Sequence, residues 1–302
     1  MTRAEAGPVA RLALYSEVAE QAASLVIRRY STSFGMASRL LGRAVRQPVE
    51  NIYALVRVAD EIVDGGADEA GLDRRVAARL LDELERDVER SIDEGYSANL
   101  VVHAFARTAR AAGFGTELTA PFFASMRMDL SQTEHDAQSF RDYVYGSAEV
   151  VGLMCLRVFV TDAPRAYTDE ESTTLETGAR ALGAAFQKVN FLRDLRADVE
   201  SLGRSYFPGI DVATLTDAQK RELVDDIDAD LAAAAATLPL LPASSRRAVA
   251  LAHGLFAELN RRIRRTPAST LITTRVRVPD PVKLRIAAGA ATGRRTVKGA
   301  QA

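Results

Sequence analysis

Apolar residues return every three or four positions along almost the whole of this chain, and strict apolar–polar alternation of the kind a strand needs is almost nowhere found. That single property leaves an all-α fold as the simplest architecture. The periodicity predicts helices near 10–29, 47–65, 72–94, 97–112, 116–131, 139–160, 169–200, 216–236, 243–265 and 280–290. Local signals agree with several of these limits. Thr168 with Glu171, and Thr216 with Gln219, form capping-box patterns. Pro121 is placed near a helix start, where its missing N–H matters least. Gly65, Gly66, Gly113 and Gly203 read as helix stops. No Ser/Gly/Pro-rich linker and no fixed repeat divides the chain. One helical domain over 1–290 followed by a small basic tail, 291–302, is the expected organisation.

Composition narrows the function. The 302 residues are 47% hydrophobic and 26% charged, with a formal net charge of −1. This is a globular composition without a nucleic-acid signature. Positive charge does gather late in the chain. Arg261, Arg262, Arg264, Arg265, Arg275, Arg277, Lys283, Arg285, Arg294, Arg295 and Lys298 face only Asp280. A solvated tail would look like this, and so would a segment drawn to diphosphates or anionic lipid. Cys155 is the sole cysteine, which fits a reducing cytoplasm and a core position. No secretory leader is expected, and no uninterrupted apolar run reaches the roughly 18 residues of a membrane span.

Two stripes of polar residues carry the chemical information. On a helix, Tyr53, Arg57, Asp60 and Asp64 share one face, with Glu61 beside it and Leu55, Ala59, Ile62 and Val63 opposite. Gly183, Gln187, Asn190, Asp194 and Asp198 share a second face, with Leu182, Phe186 and Val189 on another. Either stripe alone could be the wet side of an amphipathic helix. Aspartates at i and i+4 repel by roughly 0.2–0.5 kcal/mol, however, and no lysine offsets them. Mg²⁺ removes that conflict. It takes oxygen ligands, uses one or two carboxylates, and fills the remainder with phosphate oxygens and water. Facing carboxylate pairs would hold Mg²⁺, or Mn²⁺ in its place, against a departing diphosphate. Arg57 and Arg193 are suited to phosphate oxygens.

These residues resemble the squalene/phytoene synthase family, and read most like its phytoene synthase branch. The resemblance rests on Asp60 to Asp64, on Asn190 to Asp198, and on Arg204, Tyr206 and Pro208. Tyr30 to Phe34, Met126 to Leu130, Asp142 to Gly152 and Arg277 to Leu284 also match. It implies a single-domain isoprenoid synthase fold with a central cavity. It further implies head-to-head joining of two prenyl diphosphates through a cyclopropyl diphosphate, without a nicotinamide cofactor in the phytoene-forming branch. By motif match, Asp60, Asp64, Asp194 and Asp198 are the metal ligands. Ser33, Arg57, Gln187, Asn190, Arg193, Arg204 and Tyr206 bind or support the diphosphates. Tyr53 and Tyr143 border the reacting carbons, where a ring face stabilises a carbocation.

Two departures stand out: Ala197, where many relatives are acidic, and Gly203, which lengthens the turn before Arg204. His253, Phe256 and Asn260 receive no role, and His103 and His135 read as isolated structural or exposed residues. Geranylgeranyl diphosphate is the expected substrate, favoured by the small Gly146, Ser147, Ala148 and Gly152. Farnesyl diphosphate, giving dehydrosqualene or squalene, is the alternative. A non-catalytic binding protein and a head-to-tail elongase or terpene cyclase rank behind. A lipid product implies contact with the membrane surface at the inner face of the plasma membrane, through the basic C-terminal region. Oligomeric state is not legible.

Overall fold

The structure, a computed structural model, describes residues 8–202 and 205–292, with side chains described over 11–195 and 205–292. Among the described residues there is no strand, only one isolated bridge between Glu134 and Ser205. The helices are α1 (Pro8–Tyr30), α2 (Thr32–Ser38), α3 (Arg43–Asp64), α4 (Gly66–Glu69), α5 (Arg74–Glu94), α6 (Leu100–Ala112) and α7 (Thr116–Ser131). They continue with α8 (Ala137–Val144), a π segment (Tyr145–Glu149), α9 (Val150–Thr161) and α10 (Asp169–Leu202). The last are α11 (Asp217–Thr237), α12 (Ala243–Arg265), α13 (Ala268–Leu271) and α14 (Asp280–Ala291).

Local chemistry fixes the ends. Thr216 and Gln219 close a reciprocal capping box on α11, and Thr168 and Glu171 bond each other's backbone N–H at the start of α10. Gly95 and Gly113 end α5 and α6 at φ of 85° and 68°, where a side chain would be strained. Pro121 is not at a helix start. It sits inside α7, beyond the first four residues whose N–H groups lack intrahelical partners anyway.

The expected helix over 139–160 is interrupted by the π segment, and the cause is tertiary. Gly146 lies against α7 so closely that a Cβ there would stand 2.2 Å from the Pro121 carbonyl oxygen and 2.1 Å from Ser125 Oγ. Ser125 Oγ donates to the Tyr143 carbonyl at 3.2 Å, satisfying an acceptor beside the bulge. Gly152 and Gly183 make a second close seam. A Cβ on either would come within 2.5 Å of the Ala179 or the Ala148 carbonyl oxygen. Gly146 therefore serves helix packing and makes no room for a ligand, contrary to its expected role.

The core has two main parts. One joins α3, α5, α6, α7 and α9 around Phe105, Phe122 and Phe123, all fully buried. The other joins α10, α11 and α12 around Leu192, Val224 and Ile227. The continuous helical run Ala137–Thr161 is, by length and composition, long and apolar enough to cross a membrane, although polar residues interrupt its sequence and no span is expected from it. It packs against α3, α7 and α10 as a wall of the bundle. Part of the late positive charge is also internally neutralised. Arg261 and Arg262 pair with Glu258, and Arg264 with Asp225 and Asp228.

Candidate functional site

A cavity of about 1220 Å³ opens between the two core regions, larger than the roughly 300–1,000 Å³ of ordinary ligand pockets. α10 runs along it. Residues from Leu175 to Asp194 line the wall, a stretch of about 28 Å at 1.5 Å per residue. α3 forms a facing wall with Tyr53, Val56, Arg57, Asp60 and Asp64. α2 and α12 complete it with Ser33, Phe34, Ala248, Phe256 and others. Leu182 and Phe186, placed by helical period away from the polar stripe, also face the cavity, so α10 presents one wide surface that is polar near its C-terminal end and apolar towards its start.

The polar end brings the expected residues together. Arg57 pairs with Glu61, lies 3.9 Å from Asp60, and covers the Tyr30 ring at 4.6 Å. Burial, reinforced by Asp64 and opposed by Arg57, pushes the Asp60 carboxyl from 3.8 to about 8, although 33% of its side chain still faces the open cavity. On the other wall Arg193 Nε donates to Asp194 at 3.0 Å. Arg275 Nε meets the same carboxylate at 2.7 Å. Arg57 and Arg193 are thus already engaged by acidic neighbours. Arg275, noted in the sequence only as part of a basic run, belongs to the site. Gln187 and Asn190 line the cavity, and Asn190 Oδ1 is buried with no hydrogen-bond partner among the described residues. Ser31 caps α2 by accepting from the Phe34 N–H at 3.0 Å, which sets Ser33 and Phe34 in the wall. Asp198 and Arg204 lie outside the described side chains.

Tyr143 and Tyr206 form a buried group that sequence reasoning caught only in part. The Tyr143 phenol donates to both oxygens of Asp129, at 2.9 and 3.0 Å, and Tyr206 donates to the same carboxylate at 3.3 Å. Burial and then Asp129 hold the Tyr143 phenol well above its ordinary value. Asp129 sits in the Met126–Leu130 segment, where an aspartate on an apolar helix face was the available signal. His135, expected to be isolated, is 8% exposed and packs on both tyrosines.

Cys155 lines the apolar part of the cavity, and burial pushes its thiol from 9.0 up to about 12. The thiolate is the reactive form. An aromatic disulfide reagent at pH 8 is therefore expected to label the folded protein far more slowly than the denatured chain, followed by absorbance. Equal rates would show a solvent-open thiol.

Two oxygen types are available to a hard cation at the polar end: the Asp60, Asp64 and Asp194 carboxylates, and the Asn190 amide oxygen, which has no hydrogen-bond partner among the described residues. Among the described residues no three acidic, histidine or cysteine groups converge into a closed metal site.

The sequence model of the squalene/phytoene synthase family matches residues 27–281. The chain is 32% identical to phytoene synthase 3, chloroplastic, of Zea mays over 199 residues, covering 64% of this chain and 44% of the maize protein. It is 31% identical to the phytoene synthase of Arthrospira platensis over 62% of this chain and 60% of that protein. It therefore spans about half the length of these two relatives. A 15-cis-phytoene synthase of Enterobacter agglomerans is 27% identical over 77% of this chain and 82% of its own length. Among solved structures, a dehydrosqualene synthase with bound ligand superposes at a TM-score of 0.74 with 21% identity, covering 93% of this chain and 98% of that one. A squalene synthase from Alicyclobacillus acidocaldarius superposes at 0.69 with 22% identity, over 83% and 95% of the two chains. These two likenesses establish the isoprenoid synthase fold.

Proposed function

Because this chain belongs to the squalene/phytoene synthase family, we propose that it joins two molecules of geranylgeranyl diphosphate head to head to give phytoene. The observation that carries the reading is the polarity of the cavity: carboxylates and arginines at one end of α10, and an apolar trough along the rest. A diphosphate belongs at the first end and an isoprenoid chain in the second. An extended chain advances about 1.2 Å per bond, from the 3.3–3.6 Å of a three-bond peptide unit, so a C20 chain needs about 18 Å. The wall along α10 accommodates that length with its diphosphate.

Asp60, Asp64 and Asp194, with Asn190, would hold Mg²⁺, whose role is to offset the negative charge that grows on a leaving diphosphate. The chain's own residues do the remainder. Arg57, Arg193, Arg275 and Ser33 bind and orient phosphate oxygens, the arginines exchanging Glu61 and Asp194 for phosphate. The faces of Tyr53 and Tyr143 border the path of the allylic cation, which their quadrupoles stabilise. The apolar walls from Phe186 to Leu175 exclude water that would capture it. Loss of the first diphosphate gives an allylic cation that the double bond of the second substrate captures, and loss of a proton closes the cyclopropyl diphosphate; loss of the second diphosphate then opens the ring to the C1–C1′ link. Loss of a proton then completes phytoene, with no reductant required. A membrane surface at the cavity mouth would take up the product, with Arg277 and Lys283 facing its anionic headgroups.

Purified protein with Mg²⁺ and geranylgeranyl diphosphate, without NADPH, is expected to yield a C40 hydrocarbon by mass spectrometry. A C30 product from farnesyl diphosphate alone would move the protein to the dehydrosqualene branch, and no product from either would end the enzymatic reading. Ala248→Phe tests the trough. Phe256 on α12 stacks on Phe186 of α10 at 3.9 Å, and Ala248 lies two turns earlier, over the apolar half. The larger side chain is expected to lower C20 turnover about tenfold relative to C15, as a filled pocket rejects surplus methylenes.

A further inference from the structure

Tyr206 itself belongs to no helix, so no helix fixes the plane of its ring. Its phenol reaches Asp129 at 3.3 Å, a contact that anchors the oxygen and leaves rotation about the ring axis free. Two flat neighbours close that freedom. Phe191 lies on one side, with centroids 4.0 Å apart and planes 13° from parallel. His135 is the second parallel neighbour, at 5.8 Å and 16°, an offset stack. The imidazole also meets Tyr143 at 5.1 Å. The backbone repeats the link. Ser205 N–H donates to the Thr133 carbonyl at 2.8 Å, and Glu134 bridges Ser205. The α7–α8 turn, 132–136, is thereby clipped to the segment that carries Tyr206.

We infer that His135 is a positioning residue: its ring, held by the α7–α8 clip, stacks on Tyr206 and packs against Tyr143, and so sets the plane that Tyr143, which shares Asp129 with Tyr206, presents to the cavity. This rests on the prenyl-condensing reading for its kinetic consequence only. A quadrupole acts along the ring normal, so a tilted ring loses its hold on a passing cation while substrate binding through the diphosphate is unaffected.

The test compares His135→Ala, His135→Gln and His135→Phe with the parent. The chain has 8 tyrosines and no tryptophan, so near-UV circular dichroism of the ligand-free protein reads tyrosine packing directly. The Ala and Gln variants are expected to lose part of the tyrosine band and to drop kcat about tenfold, with KM within about twofold, as displaced catalytic geometry does. The Phe variant is expected to restore both. Parent-like kcat and spectrum in the Ala variant would overturn the assignment. So would a Phe variant as impaired as Gln, which would make the nitrogens the active feature. If the Ala variant does not fold, the Gln and Phe pair decides alone. Should the parent convert no prenyl diphosphate, the functional reading fails, and the spectra still decide whether His135 orders Tyr206.

Discussion

Asp60→Asn is expected to lower kcat/KM for prenyl diphosphate by about 10³-fold while leaving the fold intact. Asn keeps the shape and one oxygen but removes the charge that would neutralise a bound cation, and loss of one such preorganised electrostatic contact costs about 10²–10³. Glu61, the adjacent carboxylate on α3, is held by Arg57 and does not replace Asp60, which puts the effect at the upper limit. Asp194→Asn is expected to be comparably damaging. Stability should move the other way. The Asp60 carboxyl is raised from 3.8 to about 8 in the folded chain, so folding favours its protonated form. Wild-type stability is therefore eroded as pH rises from near 3.8 to about 8, where the folded chain must hold the charge. Asn carries no such penalty. In EDTA, the Tm of the Asp60→Asn protein relative to the parent is expected to rise between pH 5 and 8. A flat difference over that range would mean that the cavity solvates the carboxylate fully.

Gly146→Ala is expected to destabilise the protein by about 3 kcal/mol, several degrees of Tm, at the upper end of overpacking costs. The number follows from what the new methyl group would meet. The Pro121 carbonyl at 2.2 Å belongs to a helix backbone, and Ser125 Oγ at 2.1 Å is itself committed to the Tyr143 carbonyl. Neither can swing aside as a flexible side chain would. Ser147→Ala, one residue on, is the control. Its hydroxyl is buried without a hydrogen-bond partner among the described residues, so its loss is expected to be neutral or slightly stabilising. Thermal melts followed by far-UV circular dichroism compare the two. Equal Tm values would show that α7 and the π segment can part at little cost.

Helices were legible because period and capping chemistry are local. α5, α7, α11 and α12 lie within two residues of the expected limits, and both capping boxes form. The short α2 is not legible, since seven residues with only Phe34 and Met36 as large apolar side chains are too few to show a period. The π segment was missed for a different reason. It is created by the approach of Gly146 to α7, a contact between residues about 25 positions apart. The site divides in the same way. Tyr53, Arg57, Asp60 and Asp64 could be placed on one face by counting, and so could Gln187, Asn190 and Asp194. That both faces meet one cavity, and that Arg275 closes on Asp194, needed the tertiary fold. His135 looked isolated because its partners, Tyr143 and Tyr206, come from two other segments. Asp198 and Arg204 fall outside the described side chains, so that half of the second motif rests on the resemblance alone.

The glycine seams also bear on how such a cavity could change over generations. Where the π segment and α9 meet α10, Gly183 and Gly152 leave no room for a Cβ beside the opposing carbonyls, and almost any mutation at either breaks packing before it alters a product. On α12, by contrast, Ala248, Val249 and Ala252 meet the cavity with side chains, which can grow or shrink one carbon at a time. Heritable variation in product length is therefore channelled to one side of the trough. A lineage drifting between shorter and longer isoprenoids would record its history on α12, while the α9–α10 seam stayed nearly silent.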